Sequence, residues 1–148
     1  MTTEVDLTSQ DYVRGAVNAA YEELIRKDSE LLNVDANERS ITHRLAMYLE
    51  PHFPGWNVDV EYNRQGTNKK LLPRCEGDEV ATDDLGARTV YPDIIVHKRR
   101  TDENLLVLEF KKFGRAGDAD YCKLQHFTGP RGEFRYRWGV HLVLPSDL

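Results

Sequence analysis

Cysteine is scarce in this chain: only Cys75 and Cys122 occur among 148 residues, with no spacing that suits a metal site. That excludes a disulfide-dense scaffold, and reduced thiols in an intracellular setting are the simplest expectation. Long apolar runs are missing too, none approaching the roughly 18 residues of a membrane span. The opening MTTEVDLTSQ lacks the basic start and apolar stretch of a secretory signal. A cytoplasmic protein with no membrane partner is therefore expected. Positive charge is also in short supply, since the net charge is −5. That is awkward for a nucleic-acid binder, whose surface must neutralise phosphates.

What is present reads as one ordinary globular domain. Apolar residues make up 40% and charged residues 30% of the chain, outside the range of disordered sequences. At this length roughly two-thirds of the unfolded surface can be buried without a metal or disulfide staple. The cations are also unevenly placed. Arg64, Lys69, Lys70 and Arg74 form a stretch without an acid. Lys98-Arg99-Arg100, Lys111-Lys112 with Arg115, and Arg131, Arg135 and Arg137 are further clusters. Each taken alone is a solvated surface run.

Apolar spacing predicts the elements. Tyr12, Val13, Ala16, Val17, Ala20, Tyr21, Leu24 and Ile25 recur at helical intervals, giving an N-terminal helix over about 8–33. A second helix carries Ile41, Leu45, Tyr48 and Leu49 on one face and stops at Pro51. Trp56 to Tyr62 alternates as a strand with one buried face. A long polar loop covers about 64–89, with a short hairpin onto the preceding strand as an option around Lys70 to Leu72. Val90–His97 and Asn104–Lys111 flank a polar turn and read as a β-hairpin, the second run apolar on both faces. A helix over Gly117–Thr128 and a strand over Arg137–Leu144 complete a parallel crossover. The expected class is α/β: a mixed β-sheet with flanking helices, in the order αβββαβ after the N-terminal helix.

A hairpin centred on Thr101 pairs His97 with Leu105, Ile95 with Val107 and Asp93 with Glu109. Two carboxylates opposed across a strand pair repel each other, poorly screened where the strand is buried. A hard divalent cation between them removes the conflict, and Mg²⁺ favours a couple of carboxylates plus waters. Lys111 follows Glu109 by two residues and belongs to the same face. An ammonium there can orient a metal-bound water and stabilise charge developing on a phosphate. Taken singly, Asp93 and the Glu109–Lys111 pair are common at solvated strand ends; together, on one hairpin, they point to a metal site.

Pro92-Asp93, fifteen further residues, then Glu109-Phe110-Lys111 resembles the signature of the PD-(D/E)XK nuclease superfamily, which includes restriction enzymes and Holliday-junction resolvases. The resemblance spans roughly Asn37 to Leu144. It implies a restriction-endonuclease-like αβββαβ core. It also implies Asp93 and Glu109 as ligands to Mg²⁺ or Mn²⁺, the Phe110 carbonyl as a third ligand, and Lys111 as the residue serving the attacking water. Members often carry an acid on the helix before the first strand, and Glu38 occupies that place. Asp35-Ala-Asn-Glu38 equally fits a capping box, so Glu38 reads as cap or catalytic residue. Glu61, Arg64, Lys69, Lys70 and Gln125 are candidate substrate contacts, and a solvated helix face accounts for Lys123. His43, His126 and His141 show no ligand spacing, and Trp138 reads as core.

These expectations define a metal-dependent endonuclease acting on nucleic acid, DNA foremost. A nuclease-fold module without catalysis, binding a partner protein or nucleic acid, is the competing reading. A different metal-dependent hydrolase is a third. A homodimer or partner protein would supply the recognition element that the chain itself does not display.

Overall fold

The computed structural model describes residues 4–33, 38–60, 71–73, 87–89, 93–111, 118–129 and 134–143. Helix α1 spans Gln10–Asn33. Ser9 sets its start, its Oγ accepting the Tyr12 N–H at 3.2 Å. Val13, Ala16, Val17, Ala20 and Leu24 share one face and are all buried. Asp28 leaves helical geometry (φ −123°, ψ 24°) and bends α1. Its carboxylate there accepts hydrogen bonds from the Tyr48 hydroxyl and from Arg44 Nε at 3.3 Å. Both donors belong to α2 (Glu38–Leu49), so the kink is tied to the neighbouring helix. Pro51 lies in the 3₁₀ turn Glu50–His52 that follows α2, as its lack of an N–H requires.

Four strands form a mixed sheet: β1 (Asn57–Val60), β4 (Ile94–His97), β5 (Asn104–Lys111) and β6 (Trp138–Val143), in the order β1-β4-β5-β6. The first two pairings are antiparallel and β5 with β6 is parallel, joined through α3 (Asp118–Thr128). Two shorter strands, β2 (Leu71–Pro73) and β3 (Ala87–Thr89), pair with each other in a separate antiparallel sheet. The polar loop thus contains a strand pair, and Leu71–Pro73 does not join β1.

The sheet is covered on both faces, so the chain is a mixed α/β protein. Ile94, Val96, Leu106, Leu108 and Phe110 pack with α1 and α2. Ile95 and Val107 pack on the other face with Leu124 and Phe127 of α3 and with Phe134 and Tyr136. Each of these strand side chains is buried, as alternation in a doubly covered strand demands. Gly139 allows α3 to lie close on β6: an added Cβ would sit 2.9 Å from Thr128 Cγ2. No helix among the described residues is long and apolar enough to cross a membrane. Cys122 on α3 is disulfide-bonded, a departure from the expectation of reduced thiols.

Candidate active site

The hairpin register follows the expected one over most of its length. Ile94 pairs with Leu108, Ile95 with Val107 and Val96 with Leu106. A bulge between Val96 and His97 then shifts the ladder, so that His97 meets Asn104 rather than Leu105. The slip falls at the turn end and leaves the carboxylate end untouched. One step beyond Ile94–Leu108 brings Asp93 level with Glu109.

Asp93 is held there by a specific contact. Its Oδ2 accepts the backbone N–H of Phe110 at 2.5 Å. This side chain takes over from the β4 backbone, whose ladder with β5 ends at Ile94. The N–H and C=O of one strand residue point to the same side, so the Phe110 carbonyl also faces the Asp93 end of β4. Glu109 is only 3% exposed although it is an acid on a central strand. A carboxylate so placed is costly unless cations or donors surround it.

Strand alternation shows which face carries these groups. Ile95 and Val107 contact the α3 side, and Asp93 and Glu109 lie two residues from each, on that same face. Position 139 on β6 also faces α3, as the proximity of Thr128 and Leu124 shows. His141 is two residues further, and the parallel register sets it level with Glu109. Asp93, Glu109 and His141 therefore form one row across β4, β5 and β6. His141 had no ligand spacing in the sequence; only the pairing of β5 with β6 brings it beside Glu109.

The donor set suits a hard cation in part. Two carboxylates and a backbone carbonyl supply oxygen ligands, leaving other positions to water. A carboxylate offers about four acceptor sites, so the Phe110 bond does not exhaust Asp93. Among the described residues, no three His, Cys, Asp or Glu side chains are gathered closely enough to hold an ion by themselves. Coordination would thus rest on two carboxylates with backbone and water oxygens.

The other expected site residues are distributed unevenly. The β5 backbone extends to Lys111, placing position 111 on the Glu109 face. Glu38 is the first residue of α2. Gln125 is exposed on α3. Glu61, Arg64, Lys69 and Lys70 lie outside the described residues, as does the Asp35 cap. A groove between α1 and β6, about 240 Å³ and lined by Val13, Val17, Trp138 and Val140, opens on the opposite face of the sheet from the carboxylates.

A second polar group occupies the far end of the α3-side face. Val58 and Val60 of β1 pack toward α1 and α2, which turns Asn57 and Asp59 the other way. His97, 2% exposed, donates from Nε2 to Asp59 Oδ2 at 2.6 Å. Arg99 grips the same carboxylate with two donors, Nε at 2.9 Å and Nη2. Burial pushes the Asp59 carboxyl up, but the hydrogen bonds from Arg99 and His97 outweigh it and hold the group below the ordinary carboxylate value. Neither the sequence motif nor the periodicity drew attention to this cluster.

No family model matches the chain, and neither a curated protein nor a solved structure matches it.

Proposed function

We propose that this protein is a metal-dependent nuclease with a restriction-endonuclease-like core, hydrolysing phosphodiester bonds of nucleic acid, DNA foremost. The observation that carries this reading is the Asp93 carboxylate bonded to the Phe110 amide, on the same sheet face as buried Glu109. The order α2, β1, β4, β5, α3, β6 supports it, since it matches the αβββαβ order of that core with β2 and β3 as an excursion.

Asp93, Glu109 and the Phe110 carbonyl would hold Mg²⁺ or Mn²⁺. Such an ion, when bound, makes a coordinated water a stronger nucleophile and offsets charge on the phosphate. The chain's own residues do the rest. Asp93 and Glu109 fix the position of the reacting centre at the end of two rigid strands. Lys111 orients the water and stabilises the negative charge that develops on phosphate oxygen. Closure of one face by α3 keeps the dielectric low, so that each charge counts for more.

The test is cleavage of plasmid, single-stranded DNA and RNA with Mg²⁺ or Mn²⁺. The wild type should cut at least one substrate, with no cutting in EDTA. Asp93→Asn and Lys111→Ala should each lose about a hundredfold or more in rate. Wild-type rates in both variants would overturn the proposal. So would a wild type inert with every metal and substrate, which would favour a non-catalytic binding module.

A further inference from the structure

The end of the sheet opposite the carboxylates has an unusual construction. There β1, β5 and β6 begin and β4 ends. The Lys98–Thr101 turn is closed by Thr101 N–H to the Lys98 carbonyl (3.2 Å) and by Lys98 N–H to the Glu103 carbonyl (2.9 Å). Buried Asn104 ties a second segment to it: its Nδ2 donates to the Phe134 carbonyl (2.7 Å), and its own carbonyl accepts the Arg137 N–H (3.1 Å). The 98–100 turn and the 135–137 segment are thereby fixed on the two sides of Asn104.

Among the described residues two non-glycine positions have positive φ, and both are arginines on these segments: Arg100 (63°) and Arg135 (46°). A side chain in that conformation costs on the order of 1 kcal/mol, which glycine avoids. Both arginines are exposed, and neither forms an ion pair among the described residues. Long cations thus stand where the backbone favours glycine, and no partner among the described residues accounts for them. Two half-buried indoles, packed against the α1–α2 core, lie under neighbouring cations of the same segments. Lys98 Nζ lies 4.7 Å from the Trp56 ring, and the Arg137 guanidinium 5.7 Å from the Trp138 ring. Among the described residues the opposing acids are few: Asp102 in the turn, Glu103 at 3.9 Å from Lys98, and Asp6 near Arg137. Arg99 is engaged with Asp59.

We propose that this end is a contact surface for single-stranded nucleic acid, with Arg100 and Arg135 meeting phosphates and the Lys98–Trp56 and Arg137–Trp138 cation–aromatic pairs meeting bases. Spaced cations interleaved with aromatic rings are what a flexible, base-exposed strand requires. The surface rests on the nuclease reading in so far as that reading makes nucleic acid the substrate, and it adds the form of that substrate. At ~3.3 Å per residue, Asn104 and Lys111 are about 23 Å apart along β5. The arginines therefore hold the strand at a distance from the reacting phosphodiester.

Fluorescence anisotropy of a labelled 20-nucleotide oligo-dT, in EDTA and across a salt series, tests this with Arg100→Gly, Arg135→Gly and the double variant. The wild type should bind with a steep salt dependence. Each substitution should lower the log–log salt slope by about 0.7, which is about fivefold in affinity at 0.1 M salt. Thermal melting of both variants should be unchanged or raised, because glycine suits these backbone angles. Wild-type affinity and slope in the double variant would overturn the surface, as would a wild type that does not bind the oligonucleotide. Equal competition by poly-glutamate at matched charge would also overturn it, in favour of an acidic protein partner. Loss of binding in the arginine variants, with no cleavage by the wild type in Mg²⁺ or Mn²⁺, would keep the surface and remove the nuclease reading. Unaltered binding with Asp93-dependent cleavage would do the reverse.

Discussion

Asp59 and Asp93 lie on the same sheet face and meet burial in different ways. Asp93 satisfies a backbone amide left over at the end of a ladder. Asp59 is held by His97 and by the fork of Arg99, which outweigh the cost of burial and lower its pKa. The sign of the pH effect follows. A carboxyl with a folded pKa below its unfolded value contributes stability that is fully present above the unfolded pKa, near 3.8. That contribution is lost as pH falls through the folded value. Asp59→Asn should therefore cost about 1–3 kcal/mol in urea unfolding at neutral pH. Below about pH 4 the gap between variant and wild type should narrow. A constant gap down to acid unfolding would mean that the carboxylate charge is not what the cluster uses.

Among the elements, the contact of α3 with β6 is the most sharply constrained. Thr128 Cγ2 has little freedom to retreat from an added Cβ, because Thr128 Oγ1 bonds the Leu124 carbonyl at 2.7 Å. Gly139→Ala should destabilise by about 1–3 kcal/mol, and combination with Thr128→Ser, which removes that methyl, should restore part of the loss. Equal melting of the two glycine-substituted proteins would show that the crowding lies elsewhere. The same scale explains what the sequence could disclose. The β4–β5 hairpin was legible because two apolar runs flank one polar turn, which fixes the register wherever both faces are buried. The bulge at Val96–His97 was not, since inserting a residue depends on how Asn104 is captured by the 134–137 segment. The β2–β3 pairing lacked any periodicity to announce it. His141 showed no ligand spacing because its neighbour is set by a parallel register, which depends on the crossover through α3 and not on local spacing. The Asp59 cluster joins β1 to the end of β4, and the intervening chain carries no mark of that closure.

On the scale of the whole molecule, an acidic chain divides its sheet into two chemical ends. Asp93, Glu109 and position 111 gather at one end, the exposed arginines Arg100 and Arg135 at the other, and apolar layers on both faces hold them apart. The net charge of −5 therefore says little about local potential, because a bound ion would alter the sign of the carboxylate end. Hydrolysis at this site requires that end to bind a cation. Isothermal titration of Mn²⁺ into the wild type and Asp93→Asn decides this directly. Asparagine keeps an oxygen for the Phe110 amide, so loss of binding cannot be blamed on loss of that hydrogen bond. One Mn²⁺ per chain is predicted for the wild type, weakened about a hundredfold or more in Asp93→Asn. No Mn²⁺ binding by the wild type, or equal affinity in both proteins, would contradict the account.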